Sequence, residues 1–227
     1  MSLHLDRELE NLKKKILTLS SLVEQSLSKS VKALGDRDER LAADVQASDH
    51  NIDLKEVEVE EDCLKILALH QPVAIDLRFV IATLKINNDL ERIGDLACNI
   101  ARRARYLCHQ TDIEIPFDYE ILADKTKHMV AEALGALIQM DLKMCNNVLE
   151  ADDEVDALNR EAYSQVYYGI KNNPEKVEEM IHFLVISKNL ERIADYATNI
   201  AEDVIYMIEG RIIRHGVEGD PPESLNG

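Results

Sequence analysis

The sequence predicts an all-α protein made of two tandem repeated three-helix bundles, with six long helices in all. The composition is the first observation: eight Gly and five Pro in 227 residues are too few for the many turns of an all-β chain. The second is a repeat, because the twelve residues 90–101 recur as 190–201 with nine identical positions. A repeat of this length indicates two copies of one structural unit.

The first unit is expected to cover residues 1–110. Its apolar residues recur every three to four positions, which predicts three helices that end at about Gly35, His70 and His109. Asp36 is expected to cap the second helix, because an Asp side chain can accept hydrogen bonds from the free backbone amides of a first turn. Pro72 is expected in the first turn of the third helix, where its missing N–H costs nothing.

The segment from Thr111 to Pro116 separates the two units, because it contains a proline and no helical period. The second unit covers residues 117–215, and its three helices are expected at about 119–146, 150–169 and 174–215. Asp118 is expected to cap the first of these helices, and Pro174 to open the last. Residues 216–227, with two adjacent prolines, are expected to be a disordered tail.

The net charge of −17 excludes whole classes of function. Such a surface repels nucleic acid and anionic lipid, and it attracts cations and basic partner surfaces. No stretch approaches the roughly 18 apolar residues of a membrane span, so direct membrane insertion is not expected. Lys13–Lys15 interrupts any signal peptide, and the four cysteines lack C-x-x-C spacing, so a cytoplasmic protein with free thiols is predicted.

Four pairs of carboxylates are the candidate site residues, each pair spaced i and i+4 on a predicted helix: Asp49 with Asp53, Glu91 with Asp95, Asp152 with Asp156, and Glu191 with Asp195. At about 100° per residue, each pair forms one stripe, which Asn99 and Asn199 extend in the two third helices. Ile93 and Ile100 lie on about the opposite side. The stripes are therefore expected to point away from the core of their own bundle.

Like charges at this spacing cost a helix a few tenths of a kcal/mol, so four such pairs suggest that something compensates. Arg92 and Arg192 can supply part of the compensation, and a bound cation is the other answer. Oxygen donors suit hard cations such as Mg²⁺, Mn²⁺, Ca²⁺ or ferric iron better than a structural Zn²⁺. A solvated acidic face remains the alternative, and the residues alone leave both open.

No catalytic machinery is recognised in the sequence. Glu179 and His182 have the Glu-x-x-His spacing of di-iron bundles, but those need a second such motif, which the sequence lacks. There is no Gly-rich phosphate loop, nucleophile elbow or H-E-x-x-H motif, so no enzyme activity and no organic cofactor are predicted. A carboxylate-bridged metalloenzyme and a purely structural helical scaffold stay open as alternatives to a regulatory adaptor.

At these residues the chain resembles the PhoU family over nearly its whole length. The resemblance includes Gln71–Ala74, Asp76–Arg78 and both Leu-Glu-Arg-Ile segments. It implies two repeated three-helix bundles and a negative regulator of the bacterial phosphate-starvation response. In the second half, Glu178, Met180 and His182 take the place of the Gln-Pro segment, so the two faces are expected to bind different things.

The resemblance also implies partners and a cofactor. The partners are the ATPase subunit PstB of the phosphate ABC transporter, the sensor kinase PhoR and a second copy of the chain. The cofactor is metal on the four carboxylate pairs, as an iron cluster or as Mg, Mn, Zn or Ca ions. It does not say which metal binds, whether both repeats hold it, or whether phosphate is sensed directly.

Overall fold

The structure is a computed structural model, and it describes residues 3–111 and 114–211. Within these ranges the chain forms six α-helices and no strand. In chain order, α1 to α6 are Leu3–Gly35, Glu39–His70, Ala74–Cys108, Tyr119–Gln139, Leu142–Asn172 and Val177–Glu209. The predicted all-α fold of two repeated three-helix bundles is confirmed. The predicted tail at 216–227 lies outside the described residues. The prediction that the last helix runs to about His215 was wrong, because α6 ends at Glu209, where Gly210 adopts a left-handed backbone (φ 73°) and donates its N–H to the Tyr206 carbonyl.

The start of α2 differs from the prediction. Asp38 caps the helix, and its carboxylate accepts a hydrogen bond of 3.0 Å from the backbone N–H of Leu41. Asp36 instead lies in the turn after α1, where its own N–H donates to the Lys32 carbonyl. Asp36 is therefore not the cap, because Arg37 adopts a left-handed backbone (φ 53°) that delays the second helix by two residues.

The two prolines lie outside the helices that they were expected to open. Pro72 lies in the connection after α2, and α3 begins only at Ala74. Gln71 ends α2 with a left-handed backbone, and its N–H donates to the Leu67 carbonyl. Pro174 opens a short 3₁₀ helix, Pro174–Lys176, that leads into α6. Both predictions were wrong, because a short segment separates each proline from the long helix that follows it. This segment ends at Val73 before α3 and at Lys176 before α6.

The break between α4 and α5 lies about seven residues earlier than predicted. Met140 ends α4 with a left-handed backbone (φ 52°), and Asp141 caps α5 by accepting a hydrogen bond of 2.8 Å from the N–H of Lys143. Asn146 thus lies inside α5 and not at a helix end. Asp118 stands at the start of α4, but its side chain makes no capping hydrogen bond.

The two bundles share one apolar core and meet through α3 and α6. Buried side chains from all six helices form a single cluster, which includes Leu12, Ile86, Ile93, Leu122 and Phe183. Contacts between α3 and α6 run in opposite directions along the two helices, so the helices are antiparallel. This arrangement places the repeated carboxylate stripes at corresponding positions in each bundle. In the described part of the chain, no helix has the length and apolarity to cross a membrane.

Candidate functional site

The first carboxylate cluster lies where α2 packs against α3. Asp49 and Asp53 on α2 approach Glu91 and Asp95 on α3 closely enough to repel one another. Burial raises the pKa of Glu91, and the charges of Asp95, Glu56 and Asp53 raise it further. Burial likewise raises the pKa of Asp49, to which Asp53 and Asp95 add. The structure therefore brings together the four predicted residues of the first repeat.

Glu56 is a fifth member of this cluster, and the sequence analysis missed it. The amide nitrogen of buried Asn87 donates to both the backbone oxygen and the Oε1 of Glu56, each at 3.0 Å. Burial and then the charges of Glu60 and Asp53 raise the pKa of Glu56. A signal was present, because Glu56 lies three residues after Asp53 and continues the same stripe.

The thiol of Cys98 faces the first cluster. It donates a hydrogen bond to Asp49, which opposes the effect of burial on that carboxyl group. Burial and the charge of Asp49 raise the pKa of Cys98 to about 11, so the group stays a thiol near neutral pH. The corresponding position in the second repeat is Thr198. The two sites are therefore chemically different on this side.

The second cluster joins Asp152 and Asp156 of α5 to Glu191 and Asp195 of α6. Burial raises the pKa of Asp195 to about 6, and Glu191 and Asp152 contribute to the shift. Burial also raises the pKa of Asp152, followed by the effects of Asp156, Asp153 and Glu191. The four predicted residues of the second repeat thus also lie together.

Glu191 does not point outward as expected. Only 9% of this residue is exposed, whereas Asp95 and Asp195 do face solvent. Its Oε1 accepts a hydrogen bond of 2.6 Å from Lys188, and its buried Oε2 has no hydrogen-bond partner. The prediction failed here because Glu191 is flanked on α6 by buried Leu190 and Ala194. The edge of an apolar face becomes buried when α5 packs beside it.

Beside each cluster, a polar contact joins the same two helices. In the first repeat this contact is Asn87 to Glu56, and in the second it is Ser187 to Asn159, at 2.7 Å. Ser187 follows Asn87 by the 100 residues that separate the repeated segments. The two contacts occupy corresponding positions in the two repeats, but they are made by different residue types. The negative charge of Glu56 is absent from the second site, because Asn159 is neutral.

A groove of about 520 Å³ opens beside the first cluster, between α3 and α6. Glu91 and Asp95 line it together with three arginines: Arg92, Arg102 and Arg192. Arg92 donates a hydrogen bond of 3.2 Å to the hydroxyl of Tyr196, and its guanidinium carbon lies 5.9 Å from the ring centre. Arg92 therefore links the two bundles. Its positive charge lowers the pKa of Glu91 without a hydrogen bond to that carboxylate.

His182 packs against the other bundle. Its ring stacks on Tyr106 with 4.1 Å between ring centres and an angle of 11° between planes. Burial and the nearby Arg103 lower its pKa, and the Arg103 Nη1 lies 3.4 Å from its Nδ1. These contacts account for the histidine as a residue of the interface between α3 and α6.

The donor set of both clusters fits a hard cation in its chemistry, because the carboxylate oxygens are the ligands that such ions prefer. The unpartnered Oε2 of Glu191 is a buried acceptor of the kind that a cation would satisfy. In residues 3–111 and 114–211, however, no three His, Cys, Asp or Glu side chains already converge as a metal site. Metal binding would therefore require these carboxylates to rotate.

Comparisons with known proteins agree with this architecture. The chain is 35% identical to the phosphate-specific transport system accessory protein PhoU homolog of Aquifex aeolicus, over 92% of this chain and 95% of that relative. The crystal structure of PhoU from Pseudomonas aeruginosa superposes with a TM-score of 0.86 at 36% identity, over 90% of this chain and 99% of that one.

A second crystal structure is similar across the same length. The phosphate transport system regulatory protein PhoU from Streptococcus pneumoniae gives a TM-score of 0.83 at 29% identity, over 92% of this chain and 98% of that one. The family model described as the PhoU domain matches twice, at residues 16–104 and 120–204. Both matches include one complete set of the carboxylate pairs. The chain therefore belongs to the PhoU domain family.

Proposed function

We propose that this protein is a regulatory adaptor of bacterial phosphate uptake and signalling. It represses the phosphate-starvation response when phosphate is plentiful and carries out no turnover of its own. The observation that carries the proposal is the pair of acidic clusters, one per bundle, on a family scaffold whose named relatives belong to the phosphate-specific transport system. A repeated charged surface suits an adaptor, because each copy can contact a partner.

The proposed partners are the transporter ATPase PstB and the sensor kinase PhoR, which the adaptor would link on the cytoplasmic side of the membrane. The net charge of −17 supports docking onto basic surfaces of such partners, because complementary charge speeds association. We also propose a homodimer. Light scattering on the purified protein measures its mass directly, and a single species of 25.7 kDa would exclude the dimer.

Metal is proposed as part of the same adaptor. It would be held by Asp49, Asp53, Glu91 and Asp95 in the first bundle and by Asp152, Asp156, Glu191 and Asp195 in the second. A bound cation would cancel part of the local negative charge and so change how each face docks. The raised pKa values of Asp49, Glu91, Asp152 and Asp195 support this, because a bound cation would relieve the repulsion between crowded carboxylates.

Gene deletion tests the regulatory role. Without the adaptor, phosphate-responsive genes should stay on in rich phosphate, and a plasmid copy should restore repression. Normal repression in the deletion strain would contradict the proposal.

Pull-down tests the partners and the role of metal separately. The ATPase and the kinase are each captured with the purified adaptor, once with chelator and once with added Mn²⁺. Capture of neither protein would remove the linking role. Equal capture under the two conditions would remove metal from the switch but leave the adaptor intact.

A further inference from the structure

The two acidic clusters differ at one position that bears directly on cation binding. Lys188 lies three residues before Glu191, and the residue at the same place in the first repeat, three before Glu91, is Asn88. The two segments that follow are nearly identical, so this exchange of a charged for a neutral side chain stands out. At this position the second cluster has a positive charge, and the first cluster has a neutral amide.

Lys188 holds Glu191 in a close ion pair. Its ammonium nitrogen lies 2.6 Å from Glu191 Oε1, and 56% of the lysine side chain is exposed. The lysine can therefore swing into solvent, whereas the Glu191 side chain is largely buried at the edge of the core. The other oxygen of Glu191, Oε2, is buried and has no hydrogen-bond partner. One oxygen of this carboxylate is thus paired with an ammonium group that a metal ion could displace. The other oxygen is an acceptor without a donor.

Glu91 has no such partner. Within the described residues it forms no ion pair, and Arg92, its nearest basic neighbour along the helix, donates its hydrogen bond to Tyr196. Asn88 lines the same groove as Glu91 and brings no charge to it. Both oxygens of Glu91 are therefore open to an incoming cation without displacing a protein group.

We propose that Lys188 is a built-in competitor that weakens metal binding at the second cluster, so that the first cluster fills first. This inference rests on the metal binding proposed above and adds an order to it. A metal ion that reaches Glu191 must first displace the ammonium group, and at Glu91 it need not. At intermediate metal concentration the molecule then has one loaded face and one face whose glutamate is still neutralised by lysine.

Arg102 is a positive charge beside the first cluster and would oppose metal binding there. It lies near Asp49 of the first cluster and helps to keep that carboxylate charged. It is exposed and forms no ion pair with a described residue, so its charge acts through solvent and is screened by salt. Lys188, in contrast, directly contacts the oxygen that a metal would use. Contact at hydrogen-bond distance outweighs a screened charge.

The test is to measure Mn²⁺ binding by equilibrium dialysis and elemental analysis. The 227-residue protein is compared with variants in which Lys188 and Asn88 are exchanged. Wild type should show two affinity classes. Lys188→Asn should tighten the weaker class by about five- to tenfold, the range between an exposed and a buried charged pair. Asn88→Lys should weaken the tighter class. Lys171→Asn, which removes an exposed lysine at the end of α5, is the matched control for net charge and should change neither.

Two results would overturn the inference, and they can be told apart. If wild type binds Mn²⁺ and Lys188→Asn leaves both affinities unchanged, the competitor role is wrong while metal binding stands. If neither wild type nor Lys188→Asn binds Mn²⁺, the metal part of the proposed function fails as well. Binding at the second cluster by Lys188→Asn alone would support the competitor role. Circular dichroism confirms that each variant is folded.

Discussion

Ile52 of α2 lies so close to Gly94 of α3 that a Cβ on the glycine would stand 3.1 Å from two of its carbons. In the second repeat the corresponding residues are Val155 and Ala194, both buried. Relative to the first repeat, the α5 residue is smaller by one carbon and the α6 residue is larger by one carbon. The space between the helices therefore stays filled. Close-packed cores tolerate such exchanges best when both partners change together and the total volume is kept.

This relationship predicts energetic coupling between the two positions. Gly94→Ala alone forces the Ile52 side chain to shift, and Ile52→Val alone leaves a small cavity. The double variant should be more stable than the sum of the two single effects by about 1 kcal/mol. Urea unfolding of all four proteins measures the coupling. Pairing Gly94→Ala with Ile66→Val, farther along α2, should give additive effects, and additivity at Ile52 would refute the packing account.

The raised pKa of Asp195 predicts a pH-dependent effect on stability. Its folded pKa is about 6, above the ordinary 3.8, so the folded protein binds this proton more tightly than the unfolded chain does. The resulting stability is fully present below about pH 4 and is lost as pH rises through about 6. Asp195→Asn should therefore raise the free energy of unfolding at pH 7.5 and change it little at pH 4.

Denaturant unfolding of metal-free protein at the two pH values provides the measurement. Asp44→Asn, an exposed aspartate on α2, controls for the loss of one charge from an acidic protein. An equal effect of Asp195→Asn at both pH values would show that crowding in the second cluster does not strain this carboxylate.

Asn87 is predicted to stabilise the first bundle more than its size suggests. It is buried, and its amide donates to two oxygens of Glu56. Asn87→Ala would leave these acceptors without their donor, at a cost of about 2 kcal/mol. Thermal unfolding of Asn87→Ala beside Asn147→Ala, which removes an exposed amide that donates to Glu132, separates the buried contact from a surface one. Equal losses would contradict the buried role.

Metal should stabilise the fold through the carboxylates. A ligand that binds only the folded state at 100 times its Kd adds about 2.7 kcal/mol to the free energy of unfolding. Added Mn²⁺ should therefore raise the Tm of wild type. The increase in Tm should be smaller in the double variant Glu91→Gln, Asp95→Asn. Differential scanning calorimetry with and without chelator provides the comparison. An undiminished gain in that variant would place the metal elsewhere on the acidic surface.

Much of the site could be predicted because helical periodicity is a local property. The spacing of Glu91 and Asp95 fixes them on one stripe wherever the helix packs, and the repeat finds the second stripe at Glu191 and Asp195. Glu56, Asn87 and the burial of Glu191 were missed, because each depends on which helix packs beside it. Periodicity along one helix carries no information on its neighbour.

The helix junctions show the same limit at short range. Asp36 and Asp38 are both suitable caps by residue type, and only the left-handed backbone of Arg37 decides between them. Met140 likewise ends α4 in a left-handed conformation that its residue type does not favour. The sequence pattern predicts that helices exist and which side is apolar, whereas tertiary contacts set where they stop.

The two acidic clusters are expected to carry the regulation. The most direct measurement is expression of a phosphate-responsive reporter in a deletion strain that carries Glu91→Gln, Asp95→Asn, Glu191→Gln, Asp195→Asn in one chain. With the helices intact by circular dichroism and the protein present at wild-type level, the reporter should stay on in rich phosphate. Full repression by this folded variant would contradict the account.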